Sequence, residues 1–111
     1  MESVTINGIK YMPETATQAV DLSHTEATFL QIGKVYLFRT VTMIYLGRIK
    51  AMTKNELLLE ECAWIPETER WAQCVANGAF KEVEPYTNDV ILFKGALLDC
   101  TEMKATCMVQ K

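Results

Sequence analysis

The stretch from residue 35 to residue 46, VYLFRTVTMIYL, constrains the fold of this chain more than any other part of the sequence. It is dense in β-branched and aromatic residues, which pack well on a pleated sheet. In a helix its β-branched residues would lose side-chain freedom, because branching at Cβ restricts χ1. The stretch therefore predicts extended structure, and it is long enough to bend or to form two strands.

Turn residues and further extended stretches follow it. The lone Gly47 predicts a bend or a bulge, and Lys54-Asn55 predicts a tight turn. Several short strands with turns between them are typical of a small barrel or sandwich. The additional strands are predicted at residues 48–53, 56–65, 90–94 and 96–103.

The beginning of the chain predicts a hairpin and a connection. Residues 4–12 alternate around Asn7-Gly8, a pair that tolerates the positive φ values of a two-residue hairpin turn. Residues 14–33 predict a connection with room for one helical turn, or an arm. The predicted division is therefore an N-terminal hairpin with its connection, residues 1–33, and a β domain, residues 34–111.

One short helix is predicted at residues 66–77. Pro66 suits the first helical position, where its missing N–H is not needed, and Asn77-Gly78 supplies a left-handed stop. The residues at helical spacing that would form the buried face are Trp71, Cys74 and Val75.

Length, composition and charge set the class of protein. With 111 residues, half of them apolar, the chain suits one domain with a packed core. Its net charge of −3 opposes non-specific binding to a nucleic-acid backbone, which needs a strongly basic surface, but leaves room for a small anionic ligand. The N-terminus has no basic region followed by an apolar run, and no apolar stretch is long enough for a membrane span. We expect a cytoplasmic protein without membrane contact.

Metal binding and catalysis have little support. The four cysteines include no Cys-x-x-Cys pair, and with one histidine, His24, a transition-metal site is not expected. Ser3 and Ser23 are the only serines, and Ser23 is the sequence neighbour of His24, which is poor geometry for a catalytic triad. We therefore expect no enzyme activity and no cofactor, with the cysteines as reduced, buried thiols.

Cations interspersed with aromatic residues form the most suggestive combination. Arg39 interrupts an apolar strand, so it either pairs with an acid such as Glu82 or Glu84 or contacts a ligand or partner. A guanidinium can bind phosphate through two hydrogen bonds, and aromatic faces stack on bases. For Trp64 and Trp71 the sequence favours the core, given their large apolar area. The candidate ligand-binding residues are Arg39, Thr40, Tyr45, Arg48, Trp64 and Lys94.

Two pieces of the sequence resemble the motifs of Sm-like barrels. Residues 46–49, LGRI, followed by residues 56–59, ELLL, resemble the first motif, and residues 91–98, ILFKGALL, resemble the second. The resemblance implies a small Sm-like or SH3-like barrel whose last two strands pair with neighbouring subunits into a ring, with a ligand cleft between protomers. The Asp and Asn of that family's nucleobase loop have no match near residues 52–55, and a helix separates the motifs. The resemblance therefore carries the barrel and not the RNA site.

A second resemblance covers most of residues 34–103. The strings LFRTVTM at 37–43, AWI at 63–65 and EVEPY at 82–86 are similar to a family of small phage-encoded domains. This resemblance implies a phage origin and action in the cytoplasm of a host bacterium. Some small phage proteins are anti-defence factors, oligomeric sponges that sequester the cyclic nucleotide signals of bacterial immunity, and the link to them is an analogy of class.

These observations together predict a homo-oligomeric, non-enzymatic binding protein that sequesters a small anionic ligand such as a cyclic nucleotide. Arg39, Arg48 and Lys94 would engage phosphate, and Tyr45 or Trp64 would stack. Two alternatives stay open. One is a single-stranded RNA-binding Sm-like protein that uses the same surface, and the other is a protein-interaction module that inhibits a host protein.

Overall fold

The computed structural model describes residues 4–6, 9–11 and 28–111. Within them the fold is mainly β, with a two-stranded hairpin, an antiparallel sheet of six strands and one short helix, so the predicted fold class is confirmed at that level. A 3₁₀ turn, Lys94–Ala96, joins the last two strands. The elements in chain order are β1 (Val4–Ile6), β2 (Ile9–Tyr11), β3 (Val35–Arg39), β4 (Ile44–Met52), β5 (Glu56–Glu67), α1 (Trp71–Asn77), β6 (Glu82–Pro85), β7 (Val90–Phe93) and β8 (Asp99–Met103).

The six-stranded sheet has the order β8-β3-β4-β5, and both β6 and β7 pair with the far edge of β5. The 12 residues of β5 can hold two partners of 4 residues each. After β7 the 3₁₀ turn carries the chain to the opposite edge, where β8 pairs with β3. In the described residues β7 and β8 do not pair with each other, so the sheet is open and not the closed barrel that we expected.

The β-rich stretch at residues 35–46 forms two strands divided by a turn. Thr40 donates its backbone N–H to the Met43 carbonyl at 2.8 Å. The Thr40 hydroxyl donates to the same carbonyl and accepts from the Met43 N–H, both at 2.9 Å. Gly47 lies inside β4 at a register shift against β5, in agreement with the predicted bulge. A Cβ at Gly47 would stand 3.3 Å from the Cβ atoms of Leu59 and Cys62, so glycine allows the two strands to approach closely.

The predicted helix at residues 66–77 is wrong at its start. β5 continues through Pro66, and α1 begins only at Trp71. The strand tolerates Pro66 because its ladder to β6 is irregular around this position, so the missing N–H costs no regular hydrogen bond. The predicted stop is confirmed, since Gly78 has a φ of 70° and donates its N–H to the Cys74 carbonyl at 2.8 Å.

Two hydrophobic clusters lie on opposite faces of the sheet, because successive side chains of a strand point to opposite sides. α1 covers one face, and the cluster beneath it is called here the helix-side cluster; the other is the far-side cluster. The buried residues of the helix-side cluster are Val35, Leu37, Leu46, Ala63, Ile65, Cys74, Phe80, Val83 and Met103. Those of the far-side cluster are Tyr36, Phe38, Ile49, Leu57, Leu59, Cys62 and Leu92.

The C-terminal residues return along β6. Lys111 and Val83 exchange two backbone hydrogen bonds of 3.0 and 3.2 Å. Gln110 Nε2 donates to both carboxylate oxygens of Glu84 at 3.4 Å, and Cys107 packs against the helix-side cluster. The outer edge of β6 is therefore partnered by the chain's own tail.

The predicted N-terminal hairpin has its two strands paired. Val4 lies opposite Tyr11, and Ile6 lies opposite Ile9. The Asn-Gly turn between them lies outside the described residues, as do His24, both serines and residues 14–27 of the predicted connection. The division of the chain after residue 33 stays a prediction.

Candidate functional site

Arg39, at the end of β3, is held by an acid and an aromatic ring. Its Nε donates to Oδ1 of Asp99 at 2.8 Å, and its Nη2 donates to Oδ2 of the same carboxylate, because β3 and β8 place the two residues opposite each other. The guanidinium carbon lies 4.7 Å from the centre of the Trp71 ring, a cation–π geometry. The hydrogen bond from Arg39 lowers the pKa of the Asp99 carboxyl. Arg39 thus has the acidic partner that the sequence allowed, but that partner is Asp99 and neither Glu82 nor Glu84.

The turn beside Arg39 exposes one large apolar side chain at its tip. The hydroxyl of Thr40 makes its hydrogen bonds within the turn, so this predicted site residue shapes the backbone. Val41 is 82% exposed, and Leu98, whose N–H donates to the Arg39 carbonyl at 2.8 Å, is 65% exposed. The Arg39 ion pair therefore has exposed apolar neighbours.

Arg48, on β4, points to the helix side of the sheet, where it lies opposite Val35. Its Nη1 donates to Oε1 of Glu61, which also accepts from the Thr106 hydroxyl at 3.1 Å. These hydrogen bonds lower the pKa of Glu61, the one from Arg48 most. Glu61 has a φ of 48° where the β4–β5 register shifts, as is typical of a bulge. The bulge thus holds the acid that positions Arg48.

A shallow cleft of about 370 Å³ opens beside Arg48, where β3 begins and β8 ends. Lys34 precedes β3 and Lys104 follows β8, and the antiparallel pairing of these strands sets the two lysines next to each other. One acid belongs to the lining, Glu102, whose Oε2 lies 3.9 Å from Nζ of Lys34. The lining residues are Gly33, Lys34, Val35, Arg48, Glu102, Met103 and Lys104.

Sequence reasoning found Arg48 but missed Lys34 and Lys104. Each is a single lysine beside a strand end, which is common on the surface of any soluble protein. Only the register of β3 against β8 brings the two together. No local pattern in the sequence signals this pairing, because alternation along a strand does not identify its neighbour.

Tyr45 and Trp64 point to the face opposite the two arginines. They lie opposite each other on β4 and β5, and Tyr45 packs against the far-side cluster. Tyr86 adds a third ring, whose centre is 6.4 Å from that of Tyr45, and burial raises the pKa of the Tyr86 hydroxyl. Trp64 and Trp71 are 36% and 37% exposed, so neither tryptophan is the core residue that the sequence favoured.

Lys94 lies at the other end of β5. It belongs to the 3₁₀ turn after β7, and its N–H donates to the carbonyl of Asn55 at 2.8 Å, next to the first residue of β5. Trp64 lies near the last residue of the same strand. The six predicted ligand-binding residues therefore do not line one cleft. The two arginines share the helix side, the two aromatic residues share the far side, and Lys94 lies apart from both.

The four thiols are free; Cys62 and Cys74 are buried, as expected, whereas Cys100 and Cys107 are partly exposed. Burial raises the pKa of the Cys62 thiol to about 12, so Cys62 is protonated and unreactive at neutral pH. Within residues 28–111 and the two hairpin strands, no group of three His, Cys, Asp or Glu side chains is placed to hold a metal ion. Glu82 and Glu84 lie two residues apart on β6, so they point to the same side of the strand, and both are exposed to solvent.

No known protein family, curated protein or solved structure matches this chain. In the part of the chain that the structure describes, no helix has both the length and the apolar character to cross a membrane. The case for a function therefore rests on the chemistry of the chain's own surfaces.

Proposed function

We propose that this protein is a non-enzymatic, homo-oligomeric binding protein that takes up a small anionic ligand at the cleft beside Arg48. One observation carries the proposal. Three cations, Lys34, Arg48 and Lys104, line the cleft, against one lining carboxylate, Glu102, and the adjacent Glu61 that accepts from Arg48, on a protein whose net charge is −3. A local excess of positive charge attracts anions to that place, because salt screens the more distant acidic groups.

The cations of the cleft can bind a phosphate group. Arg48 uses one nitrogen for Glu61 and keeps further N–H groups for phosphate oxygens. Lys34 and Glu102 are 3.9 Å apart and both at least half exposed, and an exposed pair of this kind contributes little stability, so an incoming anion can replace the acid. A volume of about 370 Å³ lies at the small end of ligand sites and suits a nucleotide.

A cyclic nucleotide is the ligand we favour, and its sequestration as an anti-defence factor in a host bacterium is the proposed role. Both come from the resemblance to small phage-encoded domains. An Sm-like arrangement of the strands is also part of the proposal. The strand order supports it, because β8 returns to β3. The far-side cluster also draws its buried residues from β3, β4, β5 and β7, as the interior of a small barrel would.

Isothermal titration with cyclic di-AMP, AMP and inorganic phosphate tests the proposal. We expect saturable binding of at least one nucleotide, which chromatography then recovers unchanged. Lys34→Gln and Lys104→Gln should each weaken binding about tenfold or more, because a hydrogen bond to a charged group contributes about 1.5–3 kcal/mol. Lys54→Gln is the matched control, since Lys54 lies outside the cleft lining, and it should bind like the wild type.

Two results would contradict this proposal. One is no binding of any of the three probes, and the other is equal affinity of the wild type and both cleft variants. Binding of a single-stranded RNA oligonucleotide that falls steeply with salt, without nucleotide binding, would favour the RNA-binding alternative.

A protein-interaction module is the second candidate, because Val41 and Leu98 are exposed apolar residues beside Arg39. Apolar side chains around an arginine are typical of the centre of protein–protein interfaces. If no nucleotide binds, and Val41→Asp and Leu98→Asp abolish capture of one host protein that the wild type binds, this candidate replaces the first.

A further inference from the structure

β7 presents an open edge at one end of the sheet. Its inner edge pairs with β5, from Phe93 opposite Glu56 to Val90 opposite Leu59. No strand among the described residues pairs with its outer edge, whereas the outer edge of β6 bonds to Lys111. The outward backbone groups of β7 can therefore pair with another strand.

The same strand carries two exposed apolar side chains. Ile91 and Phe93 are 57% and 60% exposed, and they point to the same side because they are two residues apart. Leu58, opposite Ile91 on β5, helps to line a shallow, mostly apolar hollow of about 220 Å³ beside them. Large exposed apolar side chains next to an unpaired strand edge indicate an assembly surface.

We propose that β7 pairs antiparallel with β7 of a second copy of this chain, with Leu92 opposite Leu92. Residues that lie opposite each other in an antiparallel pair share a face of the sheet. In this register Ile91 of each copy lies opposite Phe93 of the other, so four exposed apolar side chains meet on one face. A register centred on Ile91 would instead oppose Phe93 with Asp89 and set a carboxylate against an aromatic ring.

The two ends of β7 carry opposite charges. Asp89, which accepts from Nζ of Lys50 in its own chain at 3.0 Å, precedes the strand and Lys94 follows it. Antiparallel pairing therefore brings the acidic end of each β7 near the lysine end of the other, with Asp89 opposite Gly95 and Lys94 opposite Val90. β8, the other edge strand, is mostly polar, with the sequence DCTEM, and borders the anion cleft. The apolar seam therefore lies between two β7 strands, in a twofold dimer, and not between β7 and β8 as in the ring that the Sm-like resemblance implies.

The inference rests on the homo-oligomeric part of the proposed function, and sedimentation velocity of the full chain tests it. We expect the wild type to sediment as a dimer, and Ile91→Glu and Phe93→Glu to sediment as monomers, because each places a charge in an apolar seam. Leu98→Glu is the matched control, since Leu98 is an equally exposed apolar residue outside β7, and it should stay dimeric. Circular dichroism checks that each variant is folded.

Mixing two single variants tests the register. Ile91→Glu and Phe93→Lys should each be monomeric alone but should form a dimer when mixed. In the mixed dimer the new glutamate of one chain lies opposite the new lysine of the other, and the second contact is again Ile91 with Phe93. A register in which these positions do not face each other predicts no such rescue.

A wild type that stays monomeric at all concentrations, a dimer that persists in Phe93→Glu, or a mixture without rescue would overturn the inference. Titration of Phe93→Glu with cyclic di-AMP separates this inference from the cleft proposal. Nucleotide binding by that monomer supports the cleft whatever the fate of the dimer, and a wild-type dimer that binds no nucleotide supports the seam alone.

Discussion

The two halves of β5 pair in the same way but are covered differently. Residues 63–67 pair with β6, whose outer edge bonds to the C-terminal tail, and α1 packs over them. Residues 56–59 pair with β7, whose outer edge is open in the described part of the chain and whose Ile91 and Phe93 are exposed. The strand next to β5 is thus covered at one end of β5 and exposed at the other.

This difference shows that strand pairing alone does not decide how much apolar surface remains exposed beside a strand. Both halves satisfy backbone groups through antiparallel ladders, but burial of apolar side chains is the dominant favourable term in folding. Both halves bury two side chains, Ala63 and Ile65 in the helix-side cluster and Leu57 and Leu59 in the far-side cluster. The open half keeps apolar surface that a second copy of the chain can bury.

The largest expected effect comes from the two phenylalanines that represent these halves. Phe80→Ala should lower the free energy of unfolding by about 3–5 kcal/mol, because it empties a buried position in the helix-side cluster. Phe93→Ala should change it by less than about 0.5 kcal/mol in the monomer, as is usual for exposed positions. Urea unfolding at low protein concentration measures both, and equal losses would remove the distinction between the halves.

The sequence predicts the strands better than it predicts what lies beside them. Residues 35–46 are extended as their composition requires, but their turn at residues 40–43 escapes prediction because threonine and valine also favour strands. Pro66 suits an irregular strand edge as well as the first turn of a helix, so its position alone could not separate the two. The bend or bulge predicted at Gly47 and the helix end predicted at Gly78, in contrast, are confirmed.

The ion pairs and the cleft depend on register, which local patterns do not contain. Arg39 meets Asp99 only because β8 returns to β3, and the chain offers many other acids at comparable distance in sequence. Lys34 and Lys104 come together for the same reason. Alternation along a strand predicts the face on which a side chain lies, but not the strand that lies next to it.

A smaller effect is expected at Gly47, which lies where the two halves of β5 join. Gly47→Ala should destabilise the fold by about 1–3 kcal/mol, the usual cost of overpacking, because the new Cβ would stand 3.3 Å from those of Leu59 and Cys62. Gly95→Ala is the matched control, since a Cβ there meets nothing within 4 Å. Thermal melts compare the two variants. If both variants melt like the wild type, β4 and β5 can accommodate a Cβ at position 47, and the prediction is wrong.

The smallest effect is expected at Arg39, the last residue of β3. It contacts Trp71 of α1, the helix that packs over residues 63–67. Its hydrogen bond lowers the pKa of Asp99 in the folded protein, so the pair stabilises the fold above the ordinary aspartate pKa of about 3.9. That contribution is lost as the pH falls through the lower pKa of the folded state. Arg39→Gln should therefore melt below the wild type at neutral pH, and the gap should narrow in acid.

Thermal melts of Arg39→Gln and the wild type across this pH range measure the gap. Arg70→Gln is the control, since Arg70 is exposed and forms no ion pair among the described residues. A gap that stays constant from neutral pH into acid would assign the role of Arg39 to its contact with the Trp71 ring, which does not titrate, because the Asp99 carboxylate loses its charge over that range. Arg39 would then stabilise the fold by packing against Trp71 and not through its ion pair with Asp99.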